Sequence, residues 1–261
     1  MSSSSLRYPP LWNRVGSVWY RHLRVYSQNL ISNALPPFLE PLIFLVGIGV
    51  GLGQFIGRMD GVPYIEYLAS GLLVTTAMFT AAFECSFGTY IRLEFDKVYD
   101  GMLAAPITVT NLLVGEVLWA ATKGLVFSLT VLIIASVFGI LNPATAALAP
   151  IVGFMTGAMF GAFGLVATSI VNNISQFNFL FSGFLSPMFF FSGVVFPISR
   201  LPAVVRPLAE VLPLTHPVRL ARAIALDRLE PIIVWDVAYM LIVTVGLTIL
   251  AIVRLRRRLV D

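Results

Sequence analysis

LVGEVLWAATKGLVFSLTVLIIASVFGI (residues 113–140) and AALAPIVGFMTGAMFGAFGLVATSIV (residues 146–171) are two long apolar runs, separated only by LNPAT. An α-helix needs about 20 mostly apolar residues to cross the hydrocarbon core of a bilayer. Asn142-Pro143 in the short connection marks a tight turn. The stretch therefore predicts two consecutive membrane-spanning helices joined by a turn.

Four further runs are long enough to span a bilayer. They lie at about Leu35–Ile56, Leu68–Tyr90, Phe177–Phe196 and Ile233–Val253. The composition agrees, because 58% of the residues are hydrophobic and only 11% are charged, against about 25% charged in soluble domains. We predict an all-α integral membrane protein with six transmembrane helices. The expected organisation is an N-terminal cytoplasmic or interface segment (1–33), a six-helix domain (34–254) and a basic cytoplasmic tail (255–261).

The arginines at the chain ends predict the orientation of the spans. Arg254, Arg256, Arg257 and Arg258 follow the last apolar run, and four more arginines lie among the first 24 residues. Positive residues next to spans favour the cytoplasmic side, so both termini are expected there, which requires an even number of spans. The segment Pro197–Ile232 opposes this rule, because it is arginine-rich although six spans place it outside.

Four segments outside the spans have the pattern of short amphipathic helices. Leu11–Leu30 repeats apolar residues at spacings of three and four, which is typical of a helix lying in the membrane interface. It is either a membrane anchor alone or also a docking surface. Arg92–Pro106 alternates charges around apolar residues and is either a solvated loop or a helix parallel to the membrane. Ala203–Leu212 and Val218–Leu226 are too short to span and predict two short helices on the outer face.

Ionisable side chains inside a membrane span are costly and often functional, and Glu84 and Lys123 are the two that we single out. Glu84 lies near the end of the second span and Lys123 lies in the third. Both are expected at inner-leaflet depth, where they either pair with each other or reach the interface separately. Gly153, Gly157 and Gly161 in the fourth span have the spacing that allows close helix packing, within one chain or between two copies.

The sequence lacks several motifs of catalytic and cofactor-binding proteins. It contains no GxxxxGK[ST] phosphate loop, so the chain is not expected to hydrolyse ATP by itself. It has no HExxH, one cysteine and two histidines, so no metal site or bound cofactor is expected. It has no basic stretch interleaved with stacking aromatics, which argues against nucleic-acid binding. A membrane-embedded lipid enzyme would need more polar groups than Asp96 and Asp100, while a membrane scaffold stays an alternative.

The order of these segments resembles the type-2 ABC exporter permeases. That family has an amphipathic N-terminal helix, two spans, a polar cytoplasmic helix and four more spans, with paired short outer helices before the last. Within it, the local matches resemble the permeases that export nodulation factors (lipo-chitooligosaccharides). They are PLIFLVGIGVGLG, GRMDGVPYIEYLASGLL, GEVLWAATK, SPMFFFSGVVFPISRLP and LPLTHPVRLAR.

The resemblance implies a transport mechanism and a set of partners. Two copies of the permease would bind two copies of a separate ATPase, which would hold ATP and Mg, in a bacterial inner membrane. The substrate would be a lipid-linked or amphipathic oligosaccharide, or alternatively a drug or antibiotic. By position, the residues expected to couple to the ATPase are Arg92, Glu94, Asp96, Lys97, Asp100, Arg14 and Arg21. Those expected at the outer gate are Pro213, His216 and Arg219.

Overall fold

The computed structural model describes residues 9–228 and 230–260, without the side chains of residues 34, 36–38, 40 and 260. Residues 1–8 of the predicted N-terminal segment and Asp261 of the predicted tail lie outside the described residues. The rest of the predicted tail is helical, because the last helix continues to Val260.

The described chain is almost entirely helical. Its elements, in chain order, are α1 (Leu11–Gln28), α2 (Leu30–Phe44), α3 (Gly51–Ile56), β1 (Arg58–Met59), β2 (Val62–Pro63), α4 (Tyr64–Phe83), α5 (Val98–Leu103), α6 (Val109–Val137), α7 (Ala149–Ile170), α8 (Gln176–Leu180), α9 (Ser186–Phe191), α10 (Arg206–Val211), α11 (Thr215–Ala225) and α12 (Ile233–Val260). Short 3-10 turns lie at Ala146–Leu148 and Ile198–Arg200, and π-helical stretches lie at Leu45–Val50, Glu84–Gly88, Ile91–Phe95 and Phe181–Leu185.

Four helices of the described residues are long and apolar enough to cross a membrane. They are Tyr64–Phe95, Val109–Val137, Ala146–Ile170 and Ile233–Leu259. They correspond to the second, third, fourth and sixth predicted spans. The other two predicted spans are also helical but shorter or interrupted: Pro41–Ile56 is a shorter apolar helix, and residues 176–191 contain a π-helical stretch. The count of six spans stays a prediction.

The centre of the bundle is the contact between α6 and α7, where glycines allow the backbones to touch. A Cβ atom added at Gly157 would lie 2.6 Å from the carbonyl oxygen of Ala120. Gly124 on α6 faces Gly153 and Gly157 on α7 in the same way. The predicted glycine repeat of the fourth span therefore packs within one chain, because only residues without side chains permit such proximity.

The bundle has two ends, which we call the tail end and the hairpin end. The tail end carries α1, α5 and the last turns of α12, where Arg258 lies 2.9 Å from Glu94. The hairpin end carries β1, β2, α10 and α11, where Nη1 of Arg228 donates to the carbonyl oxygen of Asp60 at 2.7 Å. The two-residue strands β1 and β2 form an antiparallel hairpin that was not predicted.

The polar segment Arg92–Pro106 is neither a loop nor one helix. Its first residues continue the long helix that begins at Tyr64, through π-helical turns that end at Phe95. The chain then reverses at Lys97, whose backbone is left-handed (φ 50°), and α5 begins at Val98. The prediction of a single amphipathic helix was therefore wrong, and Arg92 belongs to the end of a candidate span.

Candidate functional site

Six polar side chains from four parts of the chain meet inside the tail end. We call this group the charged cluster. Its members are His22 of α1, Glu84 and Arg92 of the long helix Tyr64–Phe95, Tyr99 of α5, and Glu116 and Lys123 of α6. Each of the six side chains is at most 16% exposed. The cluster joins α1, the long helix Tyr64–Phe95, α5 and α6 into one electrostatic unit.

Glu84 bridges two cations. Its Oε1 accepts from Nη1 of Arg92 at 2.8 Å, and its Oε2 accepts from Nζ of Lys123 at 2.8 Å. Glu84 and Arg92 are eight positions apart, so an ideal α-helix would place them about 80° apart around its axis and about 12 Å apart along it. The π-helical stretches between them have wider turns and bring both side chains to one face, as π-bulges often do at functional sites.

Glu116 is the most enclosed member, with a fully buried side chain. Its Oε2 lies 2.9 Å from Nη2 of Arg92. Its Oε1 accepts from the hydroxyl of Tyr99 at 2.8 Å and lies 2.8 Å from Nε2 of His22. When Glu116 is ionised, Nε2 of His22 must carry a proton to make this contact. A buried carboxylate is tolerable only when it is paired and hydrogen-bonded, and here three donors serve that purpose.

The formal charges of the cluster cancel when His22 is neutral, with two carboxylates against one guanidinium and one ammonium. Removing either carboxylate would leave a cation buried without its counter-charge, which is more costly than losing the whole pair. Burial also raises the pKa of Tyr99 far above its ordinary value. Its hydroxyl therefore stays protonated and remains a donor to Glu116.

Helix α1 is held against α6 by contacts around the cluster. A Cβ atom at Gly115 would lie 2.6 Å from the side chain of Val18, so the missing side chain lets the two helices approach. Nε1 of Trp19 donates to the hydroxyl of Thr122 at 2.9 Å. The ring of His22 stacks on that of Trp119, with centroids 5.7 Å apart. The amphipathic helix predicted at the N-terminus is thus seated on the bundle.

Arg14 and Arg21, both predicted to touch the ATPase, lie in different environments. Nη1 of Arg14 donates to the side-chain oxygen of Asn111 at 3.0 Å, so Arg14 takes part in holding α1 to α6. Arg21 is partly buried on α1.

The other predicted ATPase-coupling residues are divided by the structure. Arg92 lies inside the charged cluster. Glu94 pairs with Arg258 of α12 at 2.9 Å, with Lys97 4.0 Å away. Asp96, Lys97 and Asp100 are exposed at the tail end. Asp96, Lys97 and Asp100 therefore form an exposed surface together with the ring of Phe95.

The residues predicted at the outer gate lie at the hairpin end, and two of them share a partner. Nδ1 of His216 lies 2.7 Å from Oδ1 of Asp236. Arg219 donates through Nε and Nη2 to Asp236, at 2.9 and 2.6 Å, and through Nη1 to Glu210 at 2.9 Å. The hydrogen bonds that Arg219 donates to Asp236 raise the pKa of Arg219. Pro213 lies between α10 and α11, outside this network.

Most arginines of the segment before α12 make contacts with other groups of the protein. Three of its five arginines contact other parts of the protein: Arg219 binds the carboxylate of Asp236, Arg222 stacks on Tyr67 and Arg228 donates to the carbonyl oxygen of Asp60. Within the segment, Nε of Arg206 donates to the carbonyl oxygen of Leu201. Their guanidinium groups therefore take part in the packing of the hairpin end.

Several members of the two sites were not predicted. Glu116 lies within the third predicted span, so the rule that flagged Glu84 and Lys123 could have found it as well. Asp236 lies within the sixth predicted span, so the same rule applies to it, although acidic residues in a first helical turn are common. Tyr99 and His22 carried no signal, because their hydroxyl and imidazole reach Glu116 only through the tertiary fold.

With this architecture in view, the relatives of the chain identify its class. Residues 13–226 match the sequence family described as ABC-2 type transporter. The match covers most of the chain, which therefore belongs to this family of membrane transport proteins, and with its several apolar helices it is a multi-pass membrane protein.

The relatives with curated names agree. Nodulation protein J of Sinorhizobium fredii is 32% identical over 83% of this chain and 82% of its own length. Nodulation protein J of Neorhizobium galegae is 28% identical over 93% of each chain. The inner membrane transport permease YadH of Escherichia coli is 21% identical over 49% of each chain. These similarities support a permease of an ABC exporter.

Proposed function

We propose that the chain exports an amphipathic, lipid-modified oligosaccharide as one of two identical permease subunits, driven by two copies of a separate ATPase that binds ATP and Mg. The tail end faces the cytoplasm of a bacterial inner membrane, which puts the basic C-terminal residues on the side that the positive-inside rule favours. The ATPase docks on the exposed surface formed by Phe95, Asp96, Lys97 and Asp100. The similarity to Nodulation protein J supports this class of substrate.

The observation that carries the proposal is the hydrogen bond between Tyr99 and Glu116. Tyr99 lies on α5, between Lys97 and Asp100 of the exposed surface, and Glu116 lies inside α6. A force applied to α5 therefore reaches a buried carboxylate that also binds α1 and the helix that carries Arg92. Packed elements with shared, discrete contacts are the physical means by which sites communicate.

The cluster would act by rearranging its donors around two fixed carboxylates. When α5 moves with the ATPase, Tyr99 leaves Glu116, and Arg92 can redistribute between Glu116 and Glu84. The long helix Tyr64–Phe95 then shifts relative to α6. Rigid-body motion of spans around a substrate path is the common mechanism of alternating access.

The test compares two tyrosines that differ in their partners. The chain is coexpressed with a candidate ABC ATPase from the same organism and purified through a tag on the permease alone. Tyr99→Phe removes the hydroxyl that reaches Glu116. Tyr90→Phe is the matched control, because the hydroxyl of Tyr90 donates to the carbonyl oxygen of Asn172, outside the cluster, at a similar distance of 2.9 Å.

We expect both variants to copurify with the ATPase, and only Tyr99→Phe to lose most of the stimulation of ATP hydrolysis by the permease. Asp100→Lys should instead abolish copurification, because it reverses a charge on the proposed docking surface. Equal stimulation by the two tyrosine variants would refute coupling through the cluster. Failure of any ATPase to bind the unaltered chain would refute the docking surface.

The substrate is tested in vesicles that contain the complex. ATP-dependent accumulation of a lipo-oligosaccharide, without accumulation of the same oligosaccharide lacking its acyl chain, is the expected result. Transport of hydrophobic drugs and not of the glycolipid would assign the complex to drug efflux instead.

A further inference from the structure

A cavity of about 330 Å³ opens at the hairpin end, far from the charged cluster. Its walls come from α11, the first turn of α12, the hairpin turn and the segment that follows α9. Apolar side chains form part of the wall, among them Ile198, Val218 and Leu226. Three arginines also line it: Arg219, Arg222 and Arg228. The cavity thus has an apolar wall and three guanidinium groups.

Arg222 differs from Arg219 in the same cavity because it lacks a carboxylate partner, whereas Arg219 has two. Its guanidinium lies 3.6 Å above the ring of Tyr67. Nε donates to the hydroxyl of Ser70 at 3.1 Å, and Nη2 donates to the carbonyl oxygen of Tyr67 at 3.2 Å. No carboxylate oxygen of the described residues lies within 4.0 Å of it. All its partners are therefore neutral.

The geometry leaves one side of this guanidinium available. Among the described residues, Nη1 of Arg222 has no acceptor, whereas Nε and Nη2 are both occupied. Nη1 points toward Gly193, since a Cβ atom there would lie 4.0 Å from it, and Gly193 lines the cavity. Burial lowers the pKa of Arg222, although Tyr67 and Asp60 raise it in part.

The neighbouring arginines set the character of the site. The three nitrogens of the Arg219 guanidinium all donate to Asp236 or Glu210, so Arg219 is not the group that would bind a ligand. Arg228 donates through Nη1 to a backbone carbonyl, and its Nη2 has no acceptor among the residues described. Asp60, Glu210 and Glu230 also line the cavity, so the cavity as a whole is not strongly positive. A polyanion would be repelled, and a group with a single negative charge fits better.

We propose that this cavity binds the phosphodiester of a lipid head group, with the phosphate against Nη1 of Arg222 and beside Arg228, and the attached apolar part along Ile198, Val218 and Leu226. Arginine presents a planar fork of donors that suits phosphate oxygens. The stack on Tyr67 and the bond to Ser70 hold the guanidinium in place before the ligand arrives, which reduces the entropy lost on binding. The bound lipid would join α4, α11 and the hairpin.

The binding test uses the purified chain, stripped of lipid in a neutral detergent. Three probes separate the sources of the chemistry: dihexanoyl-phosphatidylglycerol, dihexanoylglycerol without phosphate, and inorganic phosphate. Titration calorimetry measures each affinity. We expect the phospholipid to bind at least about tenfold more tightly than either other probe, because charge-assisted hydrogen bonds and apolar contacts act together.

Variants identify the residues responsible. Arg222→Gln should weaken phospholipid binding by about tenfold or more, Arg222→Lys by less, and Arg228→Ala by a smaller factor. Arg200→Ala is the control, because Arg200 is exposed at the same end and does not line the cavity. If Arg222→Gln does not fold, Arg222→Lys and Arg228→Ala decide the question.

The proposal would be overturned if Arg222→Lys and Arg228→Ala both bound the phospholipid as tightly as the unaltered chain does. Tight binding of dihexanoylglycerol would also overturn it. Inorganic phosphate binding as tightly as the phospholipid would overturn its assignment to a lipid.

Discussion

Glu84 and Lys123 lie 39 positions apart in the sequence and form an ion pair of 2.8 Å between two candidate spans. The sequence suggested this pair as one of two possibilities, and the structure adds that Glu84 holds Arg92 with its other oxygen. The carboxylate is therefore shared. This sharing changes what substitutions at the two positions should do.

We expect Glu84→Gln to lower the stability of the chain by about 3 kcal/mol, because it leaves Lys123 without its counter-charge in a largely enclosed site. Lys123→Met should cost less, since Glu84 keeps its contact with Arg92. The loss of stability in the double variant Glu84→Gln/Lys123→Met should be about 1 kcal/mol smaller than the sum of the losses in the two single variants. Unfolding of the detergent-solubilised protein measures all three.

The reciprocal exchange Glu84→Lys/Lys123→Glu is the informative control. Exchange normally restores an isolated ion pair, but here the new lysine would face Arg92. We therefore expect the exchanged variant to remain at least as unstable as Glu84→Gln. Full recovery by exchange would show that Arg92 does not share the carboxylate.

The long apolar runs predicted most of the helices, because lipid imposes a simple length rule on helices that cross it. The rule is less informative for the first and fifth predicted spans, where π-helical stretches interrupt the regular pattern. The hairpin was missed although Asp60-Gly61 between Met59 and Val62 is the kind of dipeptide that makes a tight turn. Asp60 and Gly61 both have positive φ angles, as this kind of tight turn requires.

The candidate site was predicted only in part, for a reason that concerns distance along the chain. The rule that charges within spans are functional selected Glu84 and Lys123, yet it gives no partner for either. Arg92 was assigned to a surface because its neighbours are polar. Only the continuation of the helix through Ile91–Phe95 turns it inward. The contacts of Tyr99 and His22 depend on how α5 and α1 dock, which local sequence does not encode.

A second prediction concerns how closely α1 sits on α6. We expect Gly115→Ala to displace α1, because the new Cβ would lie 2.6 Å from the side chain of Val18. Trypsin should then cleave after Arg21 or Arg24 several-fold faster in the folded protein. Gly16→Ala is the control: nothing lies within 4 Å of the added atom, and alanine favours the helix. Cleavage of Gly115→Ala at the rate of the unaltered chain would show that α1 docks without this close contact.

A third prediction concerns the contact between α6 and α7. Gly157→Ala would place a Cβ 2.6 Å from the carbonyl oxygen of Ala120 and 3.0 Å from the Cα of Ala121. Both neighbours are backbone, so the helices must separate. We expect a loss of stability at the upper end of about 1–3 kcal/mol, larger than for Gly115→Ala, where a side chain can yield. The control Gly246→Ala, in open space on α12, should leave the thermal unfolding temperature unchanged or raise it slightly.

The last prediction concerns Arg258, which ties the end of α12 to two other helices. Its Nη1 donates to the carbonyl oxygens of Thr168 and Val171 at 2.8 and 2.9 Å, and its Nη2 pairs with Glu94 at 2.9 Å. The first two contacts satisfy carbonyls at the end of α7 that would otherwise have no helical partner. One guanidinium therefore fixes the positions of α7, α12 and the turn before Lys97 at the tail end.

We expect Arg258→Ala to speed amide hydrogen exchange at the ends of α7 and α12 by about tenfold or more, because hydrogen bonds to a charged group contribute about 1.5–3 kcal/mol. Arg258→Lys should recover only part of the protection, since one ammonium cannot replace the planar fork that reaches three acceptors. Arg257→Ala is the matched control, because that side chain is exposed one position away. Exchange that is equally fast in the Arg257 and Arg258 variants would mean that the contacts of Arg258 do not hold the end of α12, which would then depend on its apolar packing.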